Sequence, residues 1–176
     1  MQARISRVFK WPVAWLQSDR QMPLHRETRI VPYTAEQMYA VVAAIDRYPE
    51  FLPWCSKLVV REREKDGDIE YVTAEMFVSY LALQERYVSR VRLDYPALII
   101  EARHVEGPFR RLDNRWRFVP LARGSEVHFL IDFAFTNPVL SAVAGAAFGL
   151  VAARMQQAFI TRADALYDAR VASSTS

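Results

Sequence analysis

Between residues 58 and 135 the chain alternates apolar and polar side chains with a period of two, and this alternation constrains the fold more than any other feature. In segment 81–94 the odd positions are mostly apolar, whereas the even positions include three arginines. Turn signals interrupt the pattern at Asp66-Gly67, Tyr95-Pro96, Gly107-Pro108 and Arg123-Gly124-Ser125. Such alternation is typical of strands with one buried and one wet face. We expect about six strands in an antiparallel meander, whose inner face needs an apolar cover.

A long helical pattern after Asn137-Pro138 predicts that cover, and it runs to about Ala169. One side of the helix collects apolar residues, namely Leu140, Ala144, Phe148, Val151, Met155, Phe159 and Leu166. The uncharged part, 139–153, contains Gly145 and Gly149 in a small-xxx-small spacing that is also seen in membrane helices. Because a bilayer requires about 20 apolar residues, we expect this helix to lie on the sheet instead.

The residues before the meander predict a strand and then a helix. Residues 24–31 alternate as in a strand, and Thr34 with Gln37 forms a capping-box signature for a helix over 34–45. Residues 46–55 contain two prolines and three aromatic residues, which suits a short helical or looped excursion. The predicted fold class is α+β: a curved antiparallel sheet of about seven strands around a long C-terminal helix. We expect one domain over 22–169 and a disordered tail over 170–176.

The head of the chain, residues 1–21, carries four basic residues and one acidic residue, which accounts for the whole net charge of +3. Two interpretations stay open: a disordered extension, which we favour, and a basic segment with two tryptophans lying on an anionic membrane surface. The rest of the chain is neutral, so we expect no DNA binding. Cys55 is the only cysteine, which excludes an intrachain disulfide scaffold and favours a reducing compartment.

Several short motifs then resemble a known family. They are Thr-Ala-Glu-Gln-Met-Tyr at 34–39, Tyr-Pro-Glu-Phe-Leu-Pro-Trp-Cys at 48–55, Gly-Pro-Phe at 107–109 with Leu112 and Trp116, and Phe-Ala-Phe at 133–135. Together they resemble the coenzyme Q-binding family of the START-like superfamily, which also holds polyketide cyclases and lipid-transfer domains. The resemblance implies a helix-grip fold whose hydrophobic tunnel binds ubiquinone or a related isoprenoid lipid, in support of respiration or quinone biosynthesis. It also relates the chain to bacterial ribosome-association toxins, so a ribosomal partner is the alternative.

A quinone with a long tail is mostly hydrocarbon, so a continuous apolar cavity would be the main binding device. The candidate ligand-binding residues are Phe51, Trp54, Leu83, Tyr87, Ile100, His104, Phe109, Asn114, Trp116, Phe118, Phe133, Phe135, Phe148, Met155 and Phe159. Aromatic stripes alone more often indicate a filled core, and only the resemblance favours a hollow one. Phe51 and Trp54 form either a portal or a packed loop that closes the tunnel.

Quinone carbonyls accept hydrogen bonds, so a head-group site needs donors in an apolar pocket. The alternation places Glu85, Ser89, His104 and Asn114 on the inner face, and we expect His104 and Asn114 to be the better donors. No cofactor is required in this interpretation, and the lipid itself is the ligand. The protein would act in the cytoplasm, peripheral to the inner membrane.

Enzyme functions have little support in the sequence. The three histidines are scattered, no zinc-binding His-Glu-x-x-His run is present, and Glu85 with His104 is the only acid–base pair that a cyclase could use. A ribosome-binding function is indicated only by seven arginines on the predicted outer sheet face, which are Arg86, Arg90, Arg92, Arg103, Arg111, Arg115 and Arg117. We expect cross-strand carboxylates to pair with them, which makes the ribosome the less favoured partner.

Overall fold

The computed structural model describes residues 24–80 and 83–168, with the side chains of residues 80, 83 and 143–149 excepted. The predicted N-terminal extension and C-terminal tail lie outside these residues, as do Leu81 and the side chains of Leu83, Ala144 and Phe148. The strands are β1 (Leu24–Val31), β2 (Cys55–Asp66), β3 (Ile69–Tyr80), β4 (Leu83–Asp94), β5 (Ile99–Glu106), β6 (Phe109–Pro120) and β7 (Ser125–Phe135). The helices are α1 (Ala35–Ala43), the single turn α2 (Tyr48–Phe51) and the long α3 (Pro138–Ala163), with a 3₁₀ turn at Ile45–Arg47 and a π-helical turn at Asp164–Asp168.

The seven strands form one antiparallel sheet in the order β1-β7-β6-β5-β4-β3-β2. The predicted fold class is therefore confirmed: β2 to β7 follow one another as a meander, and β1 joins the far side of β7. The alternation also predicts the inner face correctly, since Val91, Ala102 and Ile131 point towards the helices while the arginines of β4 to β6 point outward.

The first helix begins where the capping box predicts. The backbone N–H of Gln37 donates to the Thr34 hydroxyl, and the Thr34 N–H donates to the Gln37 side chain. The helix ends earlier than expected, at Ala43, because Ile45 starts the 3₁₀ turn. Buried residues Met38, Tyr39, Val41 and Val42 pack this helix across one end of the sheet. That end of the molecule is a solid core.

The long helix α3 crosses the open inner face of the sheet. Its Asn137 side chain accepts from the Val139 N–H as an N-cap, as the Asn-Pro pair predicts. The prediction for Leu166 is wrong: it follows the switch to the wider π-helical turn, which breaks the helical repeat, and it is 38% exposed. Within the described residues no helix is long and apolar enough to cross a membrane.

Candidate functional site

The inner sheet face and α3 do not close on each other along their whole length, and a cavity of about 520 Å³ remains between them. Strands β2 to β7 form its floor, α3 its roof, and the segment from Ile45 to Trp54 one of its sides. Its walls are predominantly apolar. A cavity of this size and character is typical of small-molecule sites, which measure about 300 to 1,000 Å³.

Ten of the fifteen candidate residues line this cavity. They are Trp54, Tyr87, Ile100, Phe109, Asn114, Trp116, Phe133, Phe135, Met155 and Phe159. The alternation along β4 to β7 and the helical repeat of α3 therefore bring residues from five elements around one space. The side chains of Leu83 and Phe148 lie outside the described residues.

The other three candidates lie elsewhere. Phe118 is in the solid core, because α1 covers the sheet at that level: its ring stacks parallel to Trp116 and meets Tyr39 edge-on. His104 belongs to the inner face but packs against Phe109, with ring centroids 6.1 Å apart, and is not part of the lining. Phe51 faces an outer groove. These three side chains therefore do not line the cavity, and their role in ligand binding stays a prediction.

Sequence reasoning missed one wall of the cavity. Leu58 on β2, together with Ala74, Met76 and Val78 on β3, closes the side away from β7, and Tyr48 and Leu52 come from α2 and its exit. The signal for β3 was available, since Val72, Ala74, Met76 and Val78 alternate with Thr73, Glu75 and Ser79, although Phe77 interrupts the polar positions. Nothing comparable marks Tyr48, whose place depends on how α2 packs.

Aromatic rings close the end of the cavity next to the solid core. Trp116 lies 4.3 Å from Phe129 and 5.0 Å from Phe159, measured between ring centroids. Tyr48 meets Phe159 edge-on at 5.2 Å, and its hydroxyl donates to the carbonyl of Val42 at 2.6 Å. This end is lined by aromatic rings, and the hydroxyl of Tyr48 has its partner within the protein.

Polar side chains enter the lining mainly from β4. Glu85, Tyr87 and Ser89 are alternate residues of that strand and share its inner face, and Asn114 adds an amide from β6. The Tyr87 hydroxyl donates to the Met76 sulfur at 3.1 Å. Burial raises the pKa of Tyr87 far above its usual range, so the phenol stays a protonated donor.

Three buried side-chain atoms have no hydrogen-bond partner in the described part of the chain: Arg111 Nε on the outer sheet face, and two on the inner face, the Nδ1 atom of His104 and the Oδ1 atom of Asn114. Buried polar atoms are normally paired, so the two on the inner face identify a region that the protein alone does not satisfy. His104 and Asn114 lie on strands next to each other, β5 and β6, at the middle level of the sheet.

The residues that the structure describes do not form a metal centre. No three His, Cys, Asp or Glu side chains there are close enough to hold a metal ion. Burial raises the pKa of the Cys55 thiol to about 11, which keeps it protonated and unreactive at neutral pH.

The outer sheet face carries a network of ion pairs. Six of the seven predicted arginines contact carboxylates, for example Arg86 with Glu75 at 2.5 Å and Arg111 with Asp132 at 2.6 Å. Arg117 is exposed and has no carboxylate partner among the described residues. The predicted cross-strand pairing is thus observed, although Arg86 and Arg90 pair with carboxylates of β3 and β2, Glu75 and Glu64, rather than with those expected.

A second groove, of about 500 Å³, lies outside the cavity between α2 and α3. Phe51, Arg154 and Arg162 line it, and Arg162 donates to Glu50 at 2.6 Å while its guanidinium lies over the Phe51 ring. Trp54 lines both the groove and the cavity. The indole of Trp54 is therefore the wall that separates the two spaces.

A curved antiparallel sheet, a long C-terminal helix across it and an apolar cavity between them define a START-like helix-grip protein. Comparison with known families identifies the branch: the family described as polyketide cyclase / dehydrase and lipid transport matches residues 31–160, and the chain belongs to it. The resemblance inferred from the sequence motifs is confirmed at this level.

Two curated proteins and one solved structure are similar to this chain over most of its length. The ribosome association toxin RatA of Escherichia coli (strain K12) is 35% identical over 159 residues, which cover 90% of this chain and 98% of that protein. The mitochondrial coenzyme Q-binding protein COQ10 of Drosophila melanogaster is 29% identical over 140 residues, which cover 77% of this chain and 56% of that protein. The solution structure of the 18 kDa protein CC1736 from Caulobacter crescentus matches with a TM-score of 0.71 and 35% identity, over 84% of this chain and 99% of that one.

Proposed function

We propose that the protein binds ubiquinone or a related isoprenoid lipid in its cavity and delivers it between sites of use, without chemistry of its own and without a cofactor. The observation that carries this proposal is the cavity of about 520 Å³ with an apolar lining. Each methylene group buried there contributes about 0.8 kcal/mol, so a hydrocarbon tail of a few isoprene units suffices for firm binding.

The similarity to the Drosophila coenzyme Q-binding protein supports this ligand class. A carrier of this kind collects its cargo from a bilayer, so we place it in the cytoplasm at the surface of the inner membrane, where it supports respiration or quinone biosynthesis. A cyclase reaction would need an acid and a base that converge on the substrate. Of the predicted pair, Glu85 lines the cavity and His104 does not.

The test is organic extraction of gently purified protein followed by mass spectrometry. We expect one isoprenoid quinone per protein chain, and reloading of the delipidated protein from quinone-containing vesicles. A folded protein that neither retains nor takes up a quinone would overturn the proposal.

A second candidate function, ribosome association, is favoured by the toxin relatives at 35% identity over nearly their full length. An interaction with ribosomal RNA would use arginines that are not already paired with carboxylates. Arg117 and Arg115 offer a matched comparison, because both are exposed on the outer face of β6 but Arg115 contacts Glu101 at 3.6 Å.

Co-sedimentation with ribosomal subunits at several salt concentrations separates the two functions. If Arg117 binds a phosphate, Arg117→Gln weakens binding and lowers the salt slope by about 1, while Arg115→Gln has a smaller effect. Absence of binding to ribosomal subunits at low salt would remove this candidate.

A further inference from the structure

One wall of the cavity differs in chemistry from the rest. Along β4 the side chains that face inward are Glu85, Tyr87 and Ser89, a carboxylate, a phenol and a hydroxyl in succession. Alternate residues of a strand are about 6.6 Å apart, so these groups form a polar strip along one strand. On the opposite walls, the described lining side chains of α3 and β7 are all apolar, such as Met155, Phe133 and Phe135.

The strip contains a hydroxyl donor whose acceptor within the protein is weak. The Tyr87 hydroxyl is buried within the protein, and its hydrogen bond goes to the Met76 sulfur at 3.1 Å. A thioether is a weak acceptor, so the Tyr87 hydroxyl would form a stronger hydrogen bond with an oxygen acceptor on a ligand. The Tyr48 hydroxyl, on the same cavity, instead donates to a backbone carbonyl at 2.6 Å.

The neighbouring strands extend the polar region. Ser89 lies directly opposite His104 on β5, and Asn114 follows on β6. The unpartnered atoms in these residues, His104 Nδ1 and Asn114 Oδ1, belong to this same region. The Asn114 side chain lines the cavity, and its amide nitrogen supplies two N–H donors.

An aromatic group next to the strip provides a flat apolar surface. Phe109 stacks on Phe135 with ring centroids 4.7 Å apart and meets Tyr87 edge-on at 5.2 Å. Gly107 allows this contact, because a Cβ atom there would lie 2.7 Å from the Tyr87 Cβ. A planar ring lying beside both Phe109 and the strip would have its edge against the hydroxyl groups and its face against apolar carbon.

The geometry points to a head-group subsite for a planar ring bearing carbonyl oxygens, in which Tyr87, Ser89 and Asn114 donate to the ligand oxygens and the tail runs toward Trp116 and Phe159. This inference rests on the proposed function and deepens it, since it names the end of the cavity that recognises the quinone. Glu85, an acceptor when ionised, stands at the outer end of the strip and disfavours a carbonyl there.

The experiment compares two ligands of similar shape: decylubiquinone, which carries ring oxygens, and n-decylbenzene, which carries none. Binding of each to the delipidated full-length chain is measured by displacement of a fluorescent apolar probe. We expect Tyr87→Phe to weaken decylubiquinone binding by about three- to tenfold and to leave n-decylbenzene unchanged. Asn114→Leu and Ser89→Ala should shift the same ratio in the same direction.

Two further variants make the result specific. Tyr48→Phe removes a cavity hydroxyl whose hydrogen bond stays within the protein, so it should leave the ratio of the two affinities unchanged. Met76→Leu removes the competing acceptor of Tyr87 at nearly constant volume, so it should raise the preference for the quinone, but not when combined with Tyr87→Phe.

The possible failures are distinguishable. If the wild type binds both ligands and no strip variant changes their ratio, the head-group subsite is wrong while the lipid cavity stands. If Tyr87→Phe weakens both ligands equally, the residue shapes the cavity without recognising oxygen, and the subsite is again wrong. If the wild type binds neither ligand, both the subsite and the proposed function are overturned.

Discussion

The side-chain amide of Gln156 lies against the carboxylate of Glu27, and with its nitrogen turned toward the acid it donates to both carboxylate oxygens, at 2.9 and 3.0 Å. Gln156 is fully buried on α3, and Glu27 belongs to the edge strand β1. Arg29 also donates to Glu27, at 2.5 Å. A polar seam therefore joins the long helix to the edge of the sheet, beside an otherwise apolar interior.

Replacing Gln156 by Met should weaken this seam at nearly constant volume. Because a partly buried carboxylate would lose two donors, we expect the free energy of unfolding to fall by about 1 to 2 kcal/mol in urea denaturation. Gln157→Met is the control, since Gln157 is exposed and its hydrogen bonds, from Arg29 and to Thr161, are exposed as well, and it should cost less than about 0.5 kcal/mol. Equal losses in the two variants would contradict the prediction.

Two alanines on α3 test whether the interior is hollow. Ala152 lines the cavity, whereas Ala163 is fully buried and is not part of the lining. In delipidated protein, Ala152→Phe should fill empty space and change the free energy of unfolding by less than about 1 kcal/mol, while Ala163→Phe should cost about 1 to 3 kcal/mol through overpacking. The same Ala152→Phe variant should also lose most of its lipid load, measured by mass spectrometry. A large destabilisation at Ala152 would indicate a filled core.

Trp54 separates the cavity from the groove between α2 and α3, so its truncation should open a side route. We expect Trp54→Ala to speed release of a bound fluorescent lipid to acceptor vesicles by on the order of tenfold, which corresponds to about 1.4 kcal/mol off the barrier. Phe51→Ala is the matched control, because Phe51 lines only the groove. Similar release rates for both variants would mean that lipid leaves by another path.

The buried thiol of Cys55 predicts a pH effect on stability. Burial raises its pKa from 9.0 to about 11, so the folded chain keeps a proton that the unfolded chain releases in this interval. The free energy of unfolding should therefore fall as the pH rises from about 9 to about 11. Below pH 9 it should not vary with pH on account of Cys55. In denaturation experiments across this pH range, the free energy of unfolding of Cys55→Ala should fall less than that of the wild type. The tyrosines contribute equally to both proteins and cancel in the comparison. Parallel pH profiles would refute this.

The sheet and its helix could be predicted because each pattern has one structural solution. A one-residue shift in register would turn Val91, Ala102 and Ile131 to water, so the alternation decides which face is buried. The capping box at Thr34 and the Asn-Pro pair before α3 mark helix starts through local hydrogen bonds. These signals are short in range and need no knowledge of the partner elements.

The site was predicted only in part, because its details depend on how elements pack. Phe118 shares a strand face with Trp116, yet α1 covers one and not the other. The Gln156–Glu27 contact joins residues far apart in the chain, and no local pattern announces it. The hydrogen bond from the Tyr87 hydroxyl to the Met76 sulfur is likewise visible only once β3 and β4 are in register.

The pairing of β1 with β7 has a consequence for the order in which the molecule can be made. Leu24 pairs with Asp132, so β1 is synthesised long before β7, the strand with which its backbone pairs. Until then, the nascent meander exposes the apolar surface that later becomes the cavity wall. Such non-local closure is slow, and the apolar surface exposed in the meantime is prone to aggregation.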